Sequence, residues 1–489
     1  MQMKLFDIHR WVGLAVAAMI LGAPLAAAAQ TAAPGPADAA ATSAVNATIS
    51  ASNAAAATPA NESAQTYSKD NNNAGDDAWM LTSSVLVLMM TIPGLALFYA
   101  GMVRKKNVLA TIAQSFGATA VITVLWMIIG YSMAFVGNDP VTPSLSYFLL
   151  TPLNGDINIA NTNLAPTIPE TTYMFFQMTF AIITPALIAG ALADRMKYSA
   201  FLIFVAAWLL LVYCPIAHWV WSAKGWLGAG GKIGALDFAG GTVVHLNAGV
   251  AGLVTAIMLG KRKGLGTENF APYNPAYAII GASLLWVGWF GFNAGSATEA
   301  HDGQAGMAAA ATQIATAAAT LGWMGMEWMI AKKPTVIGMA SGAVAGLVAI
   351  TPASGYVNPT GALIIGLAAG VVCYFSAVHL KKMLGFYDDA LDCWGVHGVG
   401  GALGAILTGV FASKAINGNI PSKGGWLIDH NFAQMGAQFI DVGVVIVYCG
   451  VVTFLILLAL KYTIGIRVSE DVEVEGLDIN LHGEVIQGG

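Results

Sequence analysis

The feature of this sequence that most constrains its fold is a series of eleven apolar segments, each long enough to cross a lipid bilayer. A helix needs about 20 apolar residues to span the hydrocarbon core. Only 10% of the 489 residues are charged and 57% are hydrophobic, whereas soluble domains have about 25% charged and about 45–50% apolar residues. The segments are 79–102, 110–135, 172–193, 198–221, 240–260, 276–295, 305–331, 335–352, 359–380, 393–413 and 435–463. The sequence therefore predicts an all-α polytopic membrane protein with eleven transmembrane helices.

The residues before the first span have a different composition. Lys4 and Arg10 precede an apolar stretch that ends in small residues near Ala29, a pattern typical of a secretory signal peptide. The alternative is a first transmembrane helix that stays in the mature protein. Residues 30–78 are mostly Ala, Asn, Ser and Thr and predict a disordered external extension, because they have too few apolar side chains for a core. The predicted organisation is thus a signal peptide (1–29), this extension, an eleven-helix domain (79–463) and a tail (464–489).

Basic residues in the connections between the spans predict the orientation. One alternate set of connections contains only Lys224, Lys232, Lys414 and Lys423. The other set contains fourteen, namely Arg104, Lys105, Lys106, Arg195, Lys197, Lys261, Arg262, Lys263, Lys332, Lys333, Lys381, Lys382, Lys461 and Arg467. Loops rich in Lys and Arg stay in the cytoplasm, so the mature N-terminus is predicted outside and the tail inside. The net charge of −5 without a basic tract gives no indication of nucleic-acid binding.

The fifth and tenth spans share one pattern, in which an Asp precedes a His by eight residues and two Gly follow at fixed distances. The positions are Asp237, His245, Gly249 and Gly252 in one span and Asp389, His397, Gly401 and Gly404 in the other. Five spans per repeat is an odd number, so the second copy would be inverted relative to the first. Inverted repeats around a path at the bilayer midplane are typical of transporters. We therefore expect a five-plus-five inverted repeat with one extra helix.

Polar residues inside a membrane span are costly and tend to be functional. His245 and His397 could meet at the bilayer centre, share a proton and hydrogen-bond a small polar solute; the alternative is that each only packs. Asp237 opens the fifth span, where it could cap the helix, or stabilise a cation or pass on a proton. Glu327 and Asp441 lie near the ends of their spans, and for these we expect capping or a water-facing position.

The segment from Trp286 to Ser296 alternates small residues with aromatic rings. Small residues allow close helix approach, ring faces attract cations, and the Ser296 hydroxyl can accept a hydrogen bond. The sequence contains neither H-E-x-x-H nor G-x-S-x-G, so we expect no catalysis of covalent chemistry and no enzyme. The four cysteines, Cys214, Cys373, Cys393 and Cys449, lie in or beside apolar runs and predict buried thiols, with no disulfide, metal site or cofactor.

Several longer motifs resemble the ammonium transporter family, which includes the methylamine permeases and the Rhesus glycoproteins. They are Asp237-Phe-Ala-Gly-Gly-Thr-Val-Val-His245 with its continuation to Val254, Phe98-Tyr-Ala-Gly101, Gly190 to Arg195, Gly288 to Ser296, and Gly395-Val-His-Gly398. The resemblance extends over about residues 79–485, and the tail resembles that of bacterial members. It implies a homotrimer in the bacterial cytoplasmic membrane, with a separate pore in each subunit.

The resemblance also implies a role for individual residues. The outer substrate site would consist of Trp221, Phe176, Phe180 and Ser296. Phe180 and Phe292 would form the pore gate, followed by the twin histidines His245 and His397. Trp289 would line the pore, and Asp237 below the outer site would have a proton-transfer or structural role.

From the residues and the resemblance together we expect selective transport of ammonium. The cation would bind at the outer aromatic site, lose a proton, and cross as ammonia through a hydrophobic pore. The first alternative is an ammonium sensor that signals to a cytoplasmic PII-type partner, docked by the acidic tail and the basic loops. The second is an ion-coupled carrier for a larger substrate, which would need more polar residues at the centre of the spans.

Overall fold

A computed structural model describes residues 72–154, 160–161, 164–418, 420 and 424–486. The predicted signal peptide and residues 30–71 of the predicted extension lie outside these ranges. Within them, the chain forms eleven long helical segments, here named α1 to α11. They are α1 (Ala74–Met102), α2 (Lys105–Phe135), α3 (Glu170–Leu192), α4 (Tyr198–Trp221), α5 (Gly241–Leu259), α6 (Pro275–Gly295), α7 (Gln304–Ala331), α8 (Val336–Ile350), α9 (Pro359–Leu384), α10 (Cys393–Phe411) and α11 (Phe432–Thr463).

Nine of these helices in the described part of the chain are long and apolar enough to cross a membrane. The other two are α7 and α8. The sequence of α7 mixes Ala with Thr, Gly and Gln, which lowers its hydropathy, and α8 is apolar but has only 15 residues. Each of the eleven predicted segments nevertheless corresponds to one helix, within a few residues at each end.

The first helix begins earlier than its apolar segment. The side chain of Asn73 accepts hydrogen bonds from the backbone N–H groups of Gly75 and Asp76, at 2.9 and 3.3 Å, as N-cap residues commonly do. Residues 74–78, which the sequence assigns to the extension, therefore form the first turn of α1. Hydropathy alone places the boundary at Trp79 because the capped turn is polar.

The histidine-bearing helices lie at the centre of the described fold. Helix α5 packs against α3, α10 and α11, while α10 also packs against α8 and α9. Helix α6 packs along α1, and α7 lies against α8 and α9. Two short strands, β1 (Ala160–Asn161) and β2 (Ala165–Pro169), pair antiparallel before α3. All four cysteines are buried and free, as the sequence predicts.

The tail after α11 packs against the start of α2. It contains the short helix α12 (Glu470–Glu475) and a turn at Asp478–His482. The Asp478 carboxylate accepts hydrogen bonds from the N–H groups of Leu109 and Ala110, at 3.1 and 2.8 Å. Glu473, which is 1% exposed, pairs with Arg467 at 2.8 Å. The tail is thus fixed to the helical domain by buried carboxylates.

Candidate functional site

The two predicted pore histidines occupy equivalent positions in their helices. His245 lies in the π-helical turn Gly241–Leu246, which begins α5. His397 lies in the π-helical turn Cys393–Gly398, which begins α10. Such turns insert an extra residue into the helix and occur often at functional sites. Both side chains are almost completely buried.

Glycines bring these two turns into contact. A Cβ on Gly249 of α5 would collide with the backbone of Gly398, and a Cβ on Gly401 of α10 would collide with the backbone of Gly241 and Leu246. Each helix therefore places a glycine against the histidine-bearing turn of the other. The close approach requires residues without side chains, which explains the first of the two Gly positions in each copy of the repeat.

The histidine rings face each other across this contact. The two Nδ1 atoms lie 3.4 Å apart, and the ring planes are 25° from parallel. The Nε2 atom of His245 is buried without a hydrogen-bond partner. Trp289 stacks on His245 with ring centroids 5.2 Å apart, and its indole N–H donates to the Thr351 hydroxyl at 2.9 Å. The Nε2 atom of His245 is thus available to hydrogen-bond a small molecule in otherwise apolar surroundings.

A pair of stacked rings lies on the other side of His245. The centroids of Phe180 and Phe292 are 4.1 Å apart, with 28° between the planes. Phe292 is also 5.8 Å from the ring of His245. Both phenylalanines are buried, so the two rings close the path between the histidines and the outer side.

A cavity of about 160 Å³ lies beyond these rings. Three of the four residues predicted for the outer substrate site line it, namely Trp221, Phe180 and Ser296. Ser296 donates its hydroxyl hydrogen to the Phe292 carbonyl at 2.8 Å, so its oxygen can still accept a hydrogen bond. Phe176 is absent from the lining residues and instead packs edge-on against Phe180 at 4.9 Å.

Several cavity residues were not singled out from the sequence. The additional lining residues are Leu164, Tyr173, Gln177, Phe238 and Thr298. Tyr173 and Gln177 precede Phe180 on α3 by seven and three residues, which places all three on one helix face. That spacing could have identified both. Phe238 and Thr298 lie in connections whose path a single sequence does not specify.

Asp237 caps α5 with its side chain. Its carboxylate accepts hydrogen bonds of 2.6–3.1 Å from the N–H groups of Gly240, Gly241, Thr242 and Val243 and from the Thr242 hydroxyl. The carboxylate binds N–H groups at the start of α5 that have no partner inside the helix. Asp237 thus forms the helix cap that the sequence offers as one of its two roles.

The Asp237 backbone places this cap beside the outer cavity. Its carbonyl accepts the Trp221 indole N–H at 2.9 Å, and the next residue, Phe238, lines the cavity. In α10, Asp389 repeats the cap by accepting from the N–H groups of Cys393 and Trp394, at 3.0 and 2.7 Å.

The two other carboxyl groups noted in the sequence, Glu327 and Asp441, differ in their hydrogen bonds. Glu327 accepts the N–H of Thr335 at 2.6 Å, at the N-cap of α8, in agreement with the expected capping. Asp441 was expected to cap or to face water, and this is wrong: it is completely buried, and neither of its oxygens has a hydrogen-bond partner. The expectation failed because Asp441 lies about two and a half turns inside α11, on the face that packs against the α5 cap.

The connection between α6 and α7 holds an ion pair near the cavity. His301 Nδ1 lies 2.9 Å from Asp76 Oδ2, and this hydrogen bond raises the pKa of His301. Among the described residues, Asp76, Glu299 and His301 bring ligand atoms within 4.8 Å of one another, a group that could in principle hold a metal ion. The pair with Asp76 already gives this group a structural role, since it links α1 to the connection that carries Ser296 and Thr298.

The buried helices and the ring-lined path define an integral membrane protein of the transporter class. The chain belongs to the ammonium transporter family: the profile of the Ammonium Transporter Family matches residues 78–486. The ammonium transporter of Bacillus subtilis is 45% identical over 410 residues, covering 84% of this chain and 98% of the relative. That of Mycobacterium bovis is 49% identical, covering 84% and 89%. These relatives are named as transporters, not as enzymes.

Solved structures agree with this assignment. Mep2 of Saccharomyces cerevisiae is similar, with a TM-score of 0.73 and 35% identity, covering 82% of this chain and 92% of that one. A protein described as a Sensor Amt Protein has a TM-score of 0.74 and 26% identity, covering 83% and 98%.

Proposed function

We propose that this protein selectively transports ammonium across the bacterial cytoplasmic membrane. The observation that carries the proposal is the continuous series formed by the outer cavity, the stacked Phe180 and Phe292 rings, and the histidine pair with its available Nε2 atom. In this proposal all eleven helices cross the membrane as a five-plus-five inverted repeat with α11 added, and the mature N-terminus is outside.

The outer cavity provides the contacts that a small cation needs. The rings of Trp221 and Phe180 offer π faces, and attraction between a cation and a ring acts within about 6 Å of the centroid. Ser296 accepts a hydrogen bond from an N–H donor, and Phe176 supports Phe180 from behind. Ammonium has both a charge and N–H donors, whereas potassium lacks the donors, so the site favours ammonium.

The cation gives up a proton before it passes the rings. Moving a bare monovalent ion into an apolar interior costs tens of kcal/mol. Removing a proton from an amine with a pKa of about 10.4 costs only about 5 kcal/mol at pH 7. Neutral ammonia then passes the phenylalanines, and His245 and His397 hydrogen-bond it beside Trp289. Asp237 favours the cation electrostatically from beneath the cavity.

The test is the current and pH change in proteoliposomes after an ammonium pulse, with potassium as the comparison ion. The wild type should give a saturable response to ammonium alone. The His245→Ala and His397→Ala variants should lose most of it, while His379→Ala, which replaces a histidine of α9 away from the path, should keep it. Ser296→Ala should raise the half-saturation concentration about 5–10-fold, the effect of about 1–1.5 kcal/mol for one hydrogen bond.

These measurements distinguish ammonium transport from ammonium sensing. Full flux in both histidine variants would contradict the proposed path. A folded wild-type protein that gives no ammonium response would contradict transport and favour an ammonium sensor. The similarity to a Sensor Amt Protein and the docked tail support that second candidate. For either function we propose a homotrimer, with a PII-type protein as the cytoplasmic partner.

A further inference from the structure

Helix α11 presents a polar stripe to the segment that leads into α5. Gln434, Gln438 and Asp441 are spaced by four and three residues and therefore share one helix face. The Gln434 amide donates to the Gly234 carbonyl at 2.9 Å. Gln438 binds both backbone groups of Leu236, accepting from its N–H at 2.6 Å and donating to its carbonyl at 2.9 Å. This face of α11 thus fixes the chain directly before Asp237.

Asp441, the third residue of the stripe, contacts the cap of α5. Its neighbours are the Asp237 carboxylate and the Thr242 hydroxyl, yet neither oxygen of Asp441 has a hydrogen-bond partner. The side chain has no exposed surface. A carboxylate removed from water without donors costs several kcal/mol, so the neutral, protonated acid is the stable form at this position.

Asp237 and Asp441 therefore differ in environment although they are neighbours. Asp237 accepts four backbone N–H groups and one hydroxyl, whereas neither oxygen of the buried Asp441 carboxyl group accepts a hydrogen bond. Pairs of titratable groups whose surroundings separate their protonation are typical of acid–base sites. The Thr242 hydroxyl lies next to both, donates to Asp237 at 2.8 Å, and keeps lone pairs that can accept.

We propose that Asp441 is a proton-binding residue of the transport cycle, which exchanges one proton with the outer site through Thr242 and Asp237. The inference rests on the proposed function. When ammonium occupies the cavity, its charge stabilises a second negative charge on the carboxyl pair. The O–H bond of Asp441 then breaks, and the proton leaves to the outer water by way of Thr242 and Asp237.

The second half of the cycle restores the protonated form of Asp441. An N–H bond of ammonium breaks, the proton passes by way of Asp237 and the Thr242 hydroxyl, and the O–H bond of Asp441 forms again. Ammonia, which keeps the electron pair of the broken bond, moves on towards the histidines. No further reactant is needed, since one proton leaves to the outer water for each ammonium that is deprotonated.

Infrared difference spectroscopy on reconstituted protein tests this inference directly. Replacing potassium by ammonium in the perfusing buffer should reduce the carbonyl stretch of a protonated carboxylic acid in the wild type. Asp441→Asn, which keeps the shape of the side chain, should abolish that difference band and lower the maximal ammonium uptake at least 10-fold, with half-saturation changed less than 2-fold. Thr242→Val should keep the resting band but slow its response.

Glu327→Gln is the matched control, because it removes another buried carboxyl group whose oxygens are already bound by Thr335. It should retain both the band and uptake. An ammonium-induced band that persists in Asp441→Asn, or a wild type that transports without a band change, would overturn this inference alone. A wild type without any ammonium transport would instead contradict the proposed function.

Discussion

His301 shows how one residue at the outer surface can make the stability of this protein depend on pH. Its hydrogen bond to Asp76 raises the pKa of the imidazole. A group whose pKa is higher in the folded state stabilises that state below its unfolded value, about 6.5 for His, and loses the effect as the pH rises through the folded value. The link between α1 and the α6–α7 connection should therefore weaken in alkaline buffer.

We expect the melting temperature of the wild type to fall, relative to that of His301→Gln, as the pH increases from about 5.5 to about 8.5. Thermal unfolding of the purified protein across this range measures the difference. His430→Asn, at an exposed histidine of the α10–α11 connection, is the control and should follow the wild type. If the melting temperatures of the wild type and His301→Gln changed in parallel with pH, the His301–Asp76 pair would contribute nothing to the pH dependence of stability.

Many individual residues of the candidate site could be predicted from the sequence, because membrane spans contain few polar residues and each one is noticeable. His245, His397 and Ser296 were found in this way. Asp441 was misjudged, since its burial depends on which face of α11 meets the α5 cap, and a single sequence does not give that rotation. The ion pair of His301 with Asp76 joins residues more than 200 positions apart and was likewise not predicted.

Among the elements, the α5–α10 contact depends on having no side chain at Gly249 and Gly401. A methyl group on Gly249 would meet backbone atoms of Gly398, which cannot rotate away as a flexible side chain could. Overpacking of this kind costs about 1–3 kcal/mol. The cost is accompanied by a shift of the two histidine turns.

We therefore expect Gly249→Ala to lower the unfolding free energy by about 1–3 kcal/mol and to reduce ammonium uptake more than 10-fold. Thermal unfolding and proteoliposome flux measure the two effects. Gly436→Ala on α11 is the control, because a Cβ there meets open space, and it should change neither quantity. Wild-type flux in Gly249→Ala would mean that the exact distance between the histidine turns does not matter.

Helix positions were the most predictable part of the fold, because the length of a membrane span is set by the bilayer. Details inside the helices were not predictable. The π-helical turns at Gly241–Leu246 and Cys393–Gly398 leave no mark in hydropathy, since they change hydrogen bonding and not composition. The polar first turn of α1 was missed for the related reason that a capped turn resembles a loop.

For the whole molecule, the docked tail joins the end of the chain to the helical domain. Glu473 pairs with Arg467 and also accepts the N–H of Lys263 at 2.7 Å. The side chain of Glu473 is 1% exposed and that of Arg467 is 27% exposed, so loss of the carboxylate leaves a partly buried guanidinium unpaired and costs less than the ~3–5 kcal/mol of a fully buried pair. Glu473→Gln should therefore release the tail.

Trypsin cleavage at Arg467 in inside-out vesicles measures this release, and we expect it to be more than 10-fold faster in Glu473→Gln than in the wild type. Glu470→Gln is the matched control, because the exposed pair of Glu470 with Lys263 contributes at most about 1 kcal/mol. Right-side-out vesicles should resist cleavage in every variant. Cleavage in right-side-out vesicles would contradict the proposed orientation, and equal rates for the two Glu variants would contradict the role of the Glu473–Arg467 pair in holding the tail.

The reciprocal glycine contact between α5 and α10 also has an evolutionary consequence. Each helix presses its glycine against the histidine turn of the other, so neither half can change its crossing distance alone. A larger residue at Gly249 or Gly401 would need a matching change on the facing helix, so we expect substitutions at this crossing to be tolerated only in pairs.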